Sequence, residues 1–347
     1  MERLAPYAIV VCLGAVFLVV LVSFILYYHH DIVRRHPTQP LGHYVRALIG
    51  EFGFSLAYLF SFPLGYLPSW PTPSHIGAPI LLVHGYLLNR ISLFAIFWRL
   101  RRHGYTNVYA TNLRPVLGPV ETIANNLTSL VLRIAQENHS KVTVIAHSMG
   151  GVVLRTALQK SPRLPVAKVI TLGTPHHGTI MAGLSNSPAC CDMRVNSALY
   201  AKLDRNPAVT FVSIYSLLDN IVIPAESSCF GVRQVIVEGV GHFGLLYLPG
   251  PFAAILKELR TIAMNSMRNP RAISVMAKKD FTLVVAFLSG EKRLFDMRPY
   301  LELEIFRPLA NWSEFQRATI ENGTVVWPGG QDVCPDTLYE EGKTFDG

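Results

Sequence analysis

Charge and cysteine are both scarce in this chain. Only 16% of its 347 residues are Asp, Glu, Lys or Arg, too few for a disordered, self-repelling polypeptide. The five cysteines, Cys12, Cys190, Cys191, Cys229 and Cys334, have neither the spacing of a metal site nor an even disulfide framework. A bridge from Cys190 or Cys191 to Cys229 stays open, so cysteine usage leaves the redox compartment unassigned. Internal repeats and low-complexity tracts are missing. So is any basic stripe interleaved with aromatics, and although the net charge is +8, no nucleic-acid partner is expected. The scattered cations read as a solvated surface, with attraction to anionic lipid headgroups as the second reading. No cofactor-binding motif stands out, and none is expected.

What is abundant is hydrophobicity. Half the residues are apolar, and the mean hydropathy is +0.31. Residues Ala5 to Tyr28 contain no charged side chain. As a helix this stretch would reach roughly 36 Å, enough for a hydrocarbon core of about 30 Å. It ends without the small-x-small site of a cleaved signal, in Leu26-Tyr27-Tyr28-His29-His30, so an uncleaved transmembrane anchor over residues 1–30 is predicted. Tyr27 and Tyr28 suit the membrane interface. Arg34, Arg35 and Arg46 follow the span, against Arg3 before it, which places the following segment in the cytoplasm. A second apolar stretch, Phe52 to Pro68, is interrupted by Pro63. It either re-enters the membrane, moving the rest of the chain across, or packs as a helix on the following domain. The side on which that domain lies is therefore left open.

The segment Pro68 to Pro79, rich in Pro, Ser and Thr, reads as a linker, so that 31–78 holds a juxtamembrane apolar segment followed by a linker. From there, short apolar runs alternate with amphipathic stretches. Strands are predicted at Pro79–His84, Asn107–Thr111, Val142–Ala146, Ala167–Leu172, Thr210–Ser216 and Gln234–Glu238, with a helix from Met149 to Lys160. Buried strands alternating with helices predict an α/β class, a mostly parallel sheet with helices on both faces, over 79–270. From Lys278 the texture changes. Phe281–Phe287, Ser289-Gly290 and Lys292–Phe295 predict a β-hairpin in a small separate α+β domain over 278–342.

Three motifs carry chemistry. Ala146-His147-Ser148-Met149-Gly150-Gly151 ends a strand and opens a helix. That is the setting of a nucleophile elbow, where a strained turn exposes a serine hydroxyl. Ala146 stands where glycine is usual and is still small. His84-Gly85-Tyr86 ends the first strand, where an oxyanion-hole loop belongs. The backbone N–H groups of Tyr86 and Met149 are the candidate donors, and His84 is read as a buried loop-shaping residue. Asp219 follows the fifth strand, and His242 follows the sixth, between glycines. The order Ser148, Asp219, His242 suits nucleophile, acid and base. Asp192 and Asp204 are lesser candidates for the acid, because neither ends a strand. His176 and His177 are adjacent, so in an extended segment they point apart. They are read as anchors of the loop behind the site, and no metal is expected. Ile180 to Asn206 sits where a lid or acyl-pocket wall would fall, but its apolar residues suit core packing equally.

At these motifs the chain resembles the bacterial lipases with an A/G-x-S-x-G elbow. The stretch Phe211-Val212-Ser213-Ile214-Tyr215-Ser216, with Asp219 and Gly239-Val240-Gly241-His242-Phe243-Gly244-Leu245-Leu246, is similar to small secreted Bacillus lipases. The stretch Thr171-Leu172-Gly173-Thr174-Pro175-His176-His177-Gly178-Thr179 is similar to a segment of larger bacterial lipases. The resemblance covers about Pro79 to Pro251. It implies an α/β-hydrolase acting as a serine carboxylester hydrolase on ester or lipid substrates; the N-terminal span departs from the secreted members and instead points to a membrane, the bacterial inner membrane. The same triad would also serve acyl transfer to an alcohol, and a hydrolase fold can act as a silent scaffold. The tail resembles a small uncharacterised bacterial domain through Ser289-Gly290, Leu294-Phe295-Asp296, Pro308-Leu309, Phe315, Gly323-Thr324-Val325-Val326-Trp327-Pro328 and Asp332 to Tyr339. That resemblance implies a cytoplasmic interaction module with a protein partner. Trp327 and Tyr339 are expected in its core.

Overall fold

A computed structural model describes residues 5–35, 40–67, 71–203, 209–268, 271–321 and 323–345. Arg3, Asp204 and Pro68 lie outside the described residues, as do the side chains of Cys12, Arg34 and Arg35. The chain divides into two compact units, residues 1–256 and 257–347. The sequence reading carries the first domain to residue 270; the division falls instead within the helix Pro249–Arg268.

The first unit is organised by six parallel strands, β1 (Ile80–Val83), β2 (Val108–Ala110), β3 (Val142–His147), β4 (Val166–Leu172), β5 (Thr210–Tyr215) and β6 (Arg233–Ile236). Their order across the sheet is β2-β1-β3-β4-β5-β6. Strands buried on both faces have no polar side to show, and β1 and β3 are buried at every residue. The elbow and His242 motifs both leave strand ends of this sheet.

Helices α1 (Ala5–Arg35) and α2 (Leu41–Ser61) precede the sheet, and α3 (Phe94–Arg102), α4 (Val120–Glu137) and α5 (Met149–Lys160) follow β1, β2 and β3 in turn. α4 is amphipathic. Val120, Ile123, Ala124, Leu127, Val131 and Ile134 recur at helical spacing and are buried, while Glu121 and Asn125 face outward. That stripe packs in one core with Leu81 and Val83 of β1, Val142 and Val144 of β3, and Val152 and Val153 of α5. Side chains alternate along a strand, so Ile80 and Leu82 point to the opposite face, where they too are buried.

The stretch expected to lie wholly in lipid has one face in protein. Val20, Phe24 and Tyr27 of α1 pack with Ala47 of α2 and with Leu218 and Ile223. The Tyr27 hydroxyl donates to Leu217 O at 2.6 Å, and Asn220 Nδ2 donates to Ser23 Oγ at 2.7 Å. The helix α2, which runs into the second apolar stretch, packs on the first unit with Ala47, Glu51 and Tyr58 buried. By length and composition, Leu41–Tyr66 is the one helix among the described residues long and apolar enough to cross a membrane.

Within the Ile180 to Asn206 stretch, the described residues form a 3₁₀ turn, Ile180–Leu184, and two short helices, α6 (Pro188–Met193) and α7 (Ala198–Lys202). Ala189, Cys190 and Met193 join the main core, whereas Leu184 is exposed. Cys190, Cys191, Cys229 and Cys334 are free thiols.

The second unit holds an antiparallel four-stranded sheet and a three-stranded one. The first has the order β13 (Lys343–Thr344), β9 (Lys292–Asp296), β8 (Thr282–Phe287), β7 (Ala272–Ala277); the second runs β10 (Thr319–Glu321), β11 (Thr324–Val326), β12 (Asp332–Val333). The expected hairpin is β8–β9. Trp327 is buried in the core of this unit, donating through Nε1 to Phe315 O at 2.8 Å, and Tyr339 packs at its edge.

The α4 stripe gives a direct test. Leu127→Ala should lower unfolding stability by about 2–5 kcal/mol, whereas Asn125→Ala on the solvent face should stay within about 0.5 kcal/mol. The shift in urea midpoint would measure both.

Candidate active site

Ser148 occupies the turn between β3 and α5 with φ 54° and ψ −128°, a conformation that costs a non-glycine residue about 1–3 kcal/mol. The turn is fixed from several sides. Ser148 N–H donates to Leu172 O at 2.9 Å, and Thr174 Oγ1 donates to Ser148 O at 2.9 Å. The close approach explains the small residues. A Cβ on Gly150 would sit 2.6 Å from His84 O, one on Gly151 2.3 Å from Thr174 Oγ1, and one on Gly85 2.8 Å from Ser148 Cβ. The His84-Gly85-Tyr86 loop is thereby pressed against the serine. Met149 opens α5, whose first N–H groups have no intrahelical acceptor. The Tyr86 side chain turns away, its hydroxyl 2.9 Å from Ser187 Oγ.

Asp219 and His242 form a buried pair. His242 Nδ1 lies 3.0 Å from Asp219 Oδ1 and 2.8 Å from Oδ2, and both residues are buried. Asp219 Oδ1 also accepts from Ile221 N at 2.9 Å and Val222 N at 2.8 Å. Those bonds tie the carboxylate into its own turn. Neighbouring Asn220 accepts from His242 N at 3.2 Å. Gly173, which follows Leu172, leaves room for the pair. A Cβ there would lie 2.8 Å from Asp219 Oδ2 and 3.2 Å from His242 Nδ1, and its φ of +51° suits glycine. His147, next to Ser148, packs its ring 4.5 Å from that of His242.

Of the four buried histidines, His84, His147, His176 and His242, only His242 has a carboxylate partner. Burial pushes His84 down to about 4. Its Nδ1 faces Gly85 O at 2.8 Å and its Nε2 accepts from Leu113 N at 2.9 Å, so Nδ1 carries the proton. Burial likewise drives His147 and His176 well below the ordinary histidine value. Burial alone would depress His242 too. The charge of Asp219 and the hydrogen bond to it outweigh that effect, and its pKa is raised. Three imidazoles are therefore held neutral, while His242 is prepared to gain a proton.

The other sequence candidates fall elsewhere. Asp192 caps α4, with Oδ2 accepting from Val120 N at 2.8 Å. His176 stacks on Phe230 with ring centroids 4.6 Å apart, and its carbonyl accepts from Arg155 at 2.8 Å. His177 points instead to Cys229 O, 3.1 Å away. No group of three or more His, Cys, Asp or Glu is placed to hold a metal among the described residues.

Residue-by-residue reading missed His147 and Asn220. Both adjoin a candidate residue, which was the available signal. It also missed Glu51, whose Oε2 and Oε1 accept from Phe243 N at 2.9 Å and Gly244 N at 2.7 Å. Its signal was to be the single acid of an otherwise apolar helix.

A parallel sheet with a strained serine elbow after β3 and a histidine after its last strand defines the α/β-hydrolase fold. Lipase B of Aspergillus fumigatus shares that fold, with a TM-score of 0.51 at 21% identity over 55% of each chain. Residues 71–234 match a family model described as a domain of unknown function, DUF7379, and residues 272–344 match one described as a protein of unknown function, DUF2442. The chain is 33% identical to the triacylglycerol lipases of Pseudarthrobacter phenanthrenivorans and Burkholderia plantarii over 113 residues, 30% of its own length. It spans about a third of those relatives, 35% and 31% respectively.

The opposition between burial and Asp219 at His242 can be read by NMR. The His242 imidazole should titrate above the ordinary value of about 6.5. In Asp219→Asn the burial remains and the carboxylate is lost, so its pKa should fall below that value. An unchanged titration would contradict the pairing.

Proposed function

We propose that the chain is a serine carboxylester hydrolase working through an acyl-enzyme. The observation that carries this reading is the strained Ser148 turn set beside a buried Asp219–His242 pair. His242 takes the Ser148 proton as Oγ attacks the ester carbonyl, and Asp219 holds the imidazole's tautomer and stabilises the imidazolium. The N–H groups of Tyr86 and Met149 receive the oxyanion. Collapse of the tetrahedral intermediate expels the alcohol, which takes its proton from His242. Water, activated by the same base, then releases the acid.

Lipidic esters are the proposed substrates. The partial likeness to two triacylglycerol lipases supports this. So does a cavity of about 480 Å³ beside the His84 loop, where Leu88, Leu113, Pro115, Val116 and Tyr66 share the lining with Asn89, Asn112, Arg114 and Asn126.

The N-terminal helices are proposed to hold the chain at a membrane, with the outer faces of α1 and α2 in lipid. Leu18, Val19 and Ile25 on α1 are exposed, as are Ile49 and Phe60 on α2. Large apolar side chains repeating on two adjacent helices, with their opposite faces already packed, suit a bilayer better than water.

Two experiments test these readings. Ser148→Ala should reduce p-nitrophenyl ester hydrolysis by at least about a thousandfold and abolish fluorophosphonate labelling. A folded wild type that neither turns over ester nor labels would remove the hydrolase reading. Separately, Ile49→Asp combined with Phe60→Asp should weaken co-sedimentation with phospholipid vesicles while leaving the far-UV spectrum unchanged. Undiminished sedimentation would discard these faces as the lipid contact.

A further inference from the structure

A second carboxylate stands behind the His242 loop, and it comes from α2, outside the strand-and-helix framework of the hydrolase fold. Glu51 is buried to 1% exposure. Its two oxygens accept from the successive backbone N–H groups of Phe243 and Gly244, at 2.9 and 2.7 Å. On the other side of His242, a Cβ at Gly241 would fall 2.4 Å from Glu51 Cγ. The carboxylate therefore grips the loop immediately after the histidine, and Gly241 makes room for it. The Phe243 ring, in turn, sits against Tyr58 of the same helix with centroids 5.9 Å apart.

An apolar residue would have served docking alone. α2 already buries Ala47 and Tyr58, and a buried carboxylate is costly unless its oxygens are satisfied. The only acid of this helix is spent on two N–H groups adjoining the proposed general base. The titratable groups that face it are His242 and Asp219 from the site loops and Tyr247 from the short helix Gly244–Tyr247. On its own helix, Arg46 lines the small cavity beside it. Burial raises the Glu51 carboxyl to about 7, against the two N–H groups and His242, and in its ionised form it acts on His242 in the same direction as Asp219, favouring the imidazolium.

We propose that Glu51 is a positioning residue for ester hydrolysis: it fixes the His242-Phe243-Gly244 backbone so that the imidazole meets Asp219, and its charge assists proton uptake by His242. The inference rests on the esterase reading above. It makes α2 a working part of the active site as well as a place of attachment.

The test uses the full chain with a p-nitrophenyl ester across a range of pH. Glu51→Leu removes both acceptors and the charge. It should lower kcat about tenfold or more, the loss expected for charge-assisted hydrogen bonds, with KM within about twofold. Glu51→Gln is isosteric, neutral and keeps one acceptor. It should recover part of kcat, yet the acidic limb of kcat/KM should lie at lower pH than in wild type, because His242 loses a stabilising charge. Complete recovery in Glu51→Gln with an unmoved limb would reduce Glu51 to packing and overturn the proposal. So would kcat within twofold of wild type in both variants. An inactive wild type that also refuses a fluorophosphonate would instead defeat the esterase reading itself, and the inference with it. An active wild type with unaltered Glu51 variants defeats this inference alone.

Discussion

The first unit turns on the hydrogen-bonded pair of Asp219 and His242, two titratable groups brought almost entirely out of water. Taking a carboxylate into a low-dielectric interior costs several kcal/mol unless its oxygens are occupied. Much of the surrounding architecture occupies them. Asp219 accepts two N–H groups of its own turn as well as His242. Asn220 spans from His242 N to Ser23 of α1. Gly173 leaves the space in which the pair can close. A carboxylate this dry needs a rigid frame to keep its oxygens occupied, and the six parallel strands supply that frame.

The same physics separates the histidines. His84, His147, His176 and His242 are all buried, and burial disfavours the charged form of each. What distinguishes His242 is its carboxylate partner. A proton acceptor is useful beside a serine only if its neighbours do not compete for the proton. Here, too, the neutral histidines have structural work: His84 bridges Gly85 O and Leu113 N across the loop next to Ser148.

The N-terminal helices add a constraint that a freely tethered domain would lack. α1 meets the Asp219 loop through Tyr27 and Ser23, and α2 meets the His242 loop through Glu51. The two N-terminal helices are thus packed on the two loops that carry Asp219 and His242. Their outer faces stay apolar and exposed. A hydrocarbon environment for those faces would bring the site close to its proposed lipidic substrate.

Much of this was legible from local pattern. Runs such as Ile80–Val83 and Val142–His147 are short, apolar and β-branched, and local sterics with burial on both faces suffice to make them strands. The helix Met149–Lys160 and the positions of Ser148, Asp219 and His242 at strand ends followed from the same alternation. The long-range partners could not be read that way. Whether Asp219 or Asp192 faces His242 depends on how loops more than twenty residues apart close in space, and Asp192 became a helix cap instead. Apolarity marks the stretch from Ala5 to Tyr28 as fit for lipid, but burial is blind to what covers it, and one face went to protein. Glu51 lies 192 residues before the backbone group it holds. The sequence by itself determined the elements and their order, because those follow from near-neighbour sterics and hydrophobic period. Only the tertiary structure decided which polar groups meet, because a buried hydrogen bond is chosen by three-dimensional proximity that chain order does not encode.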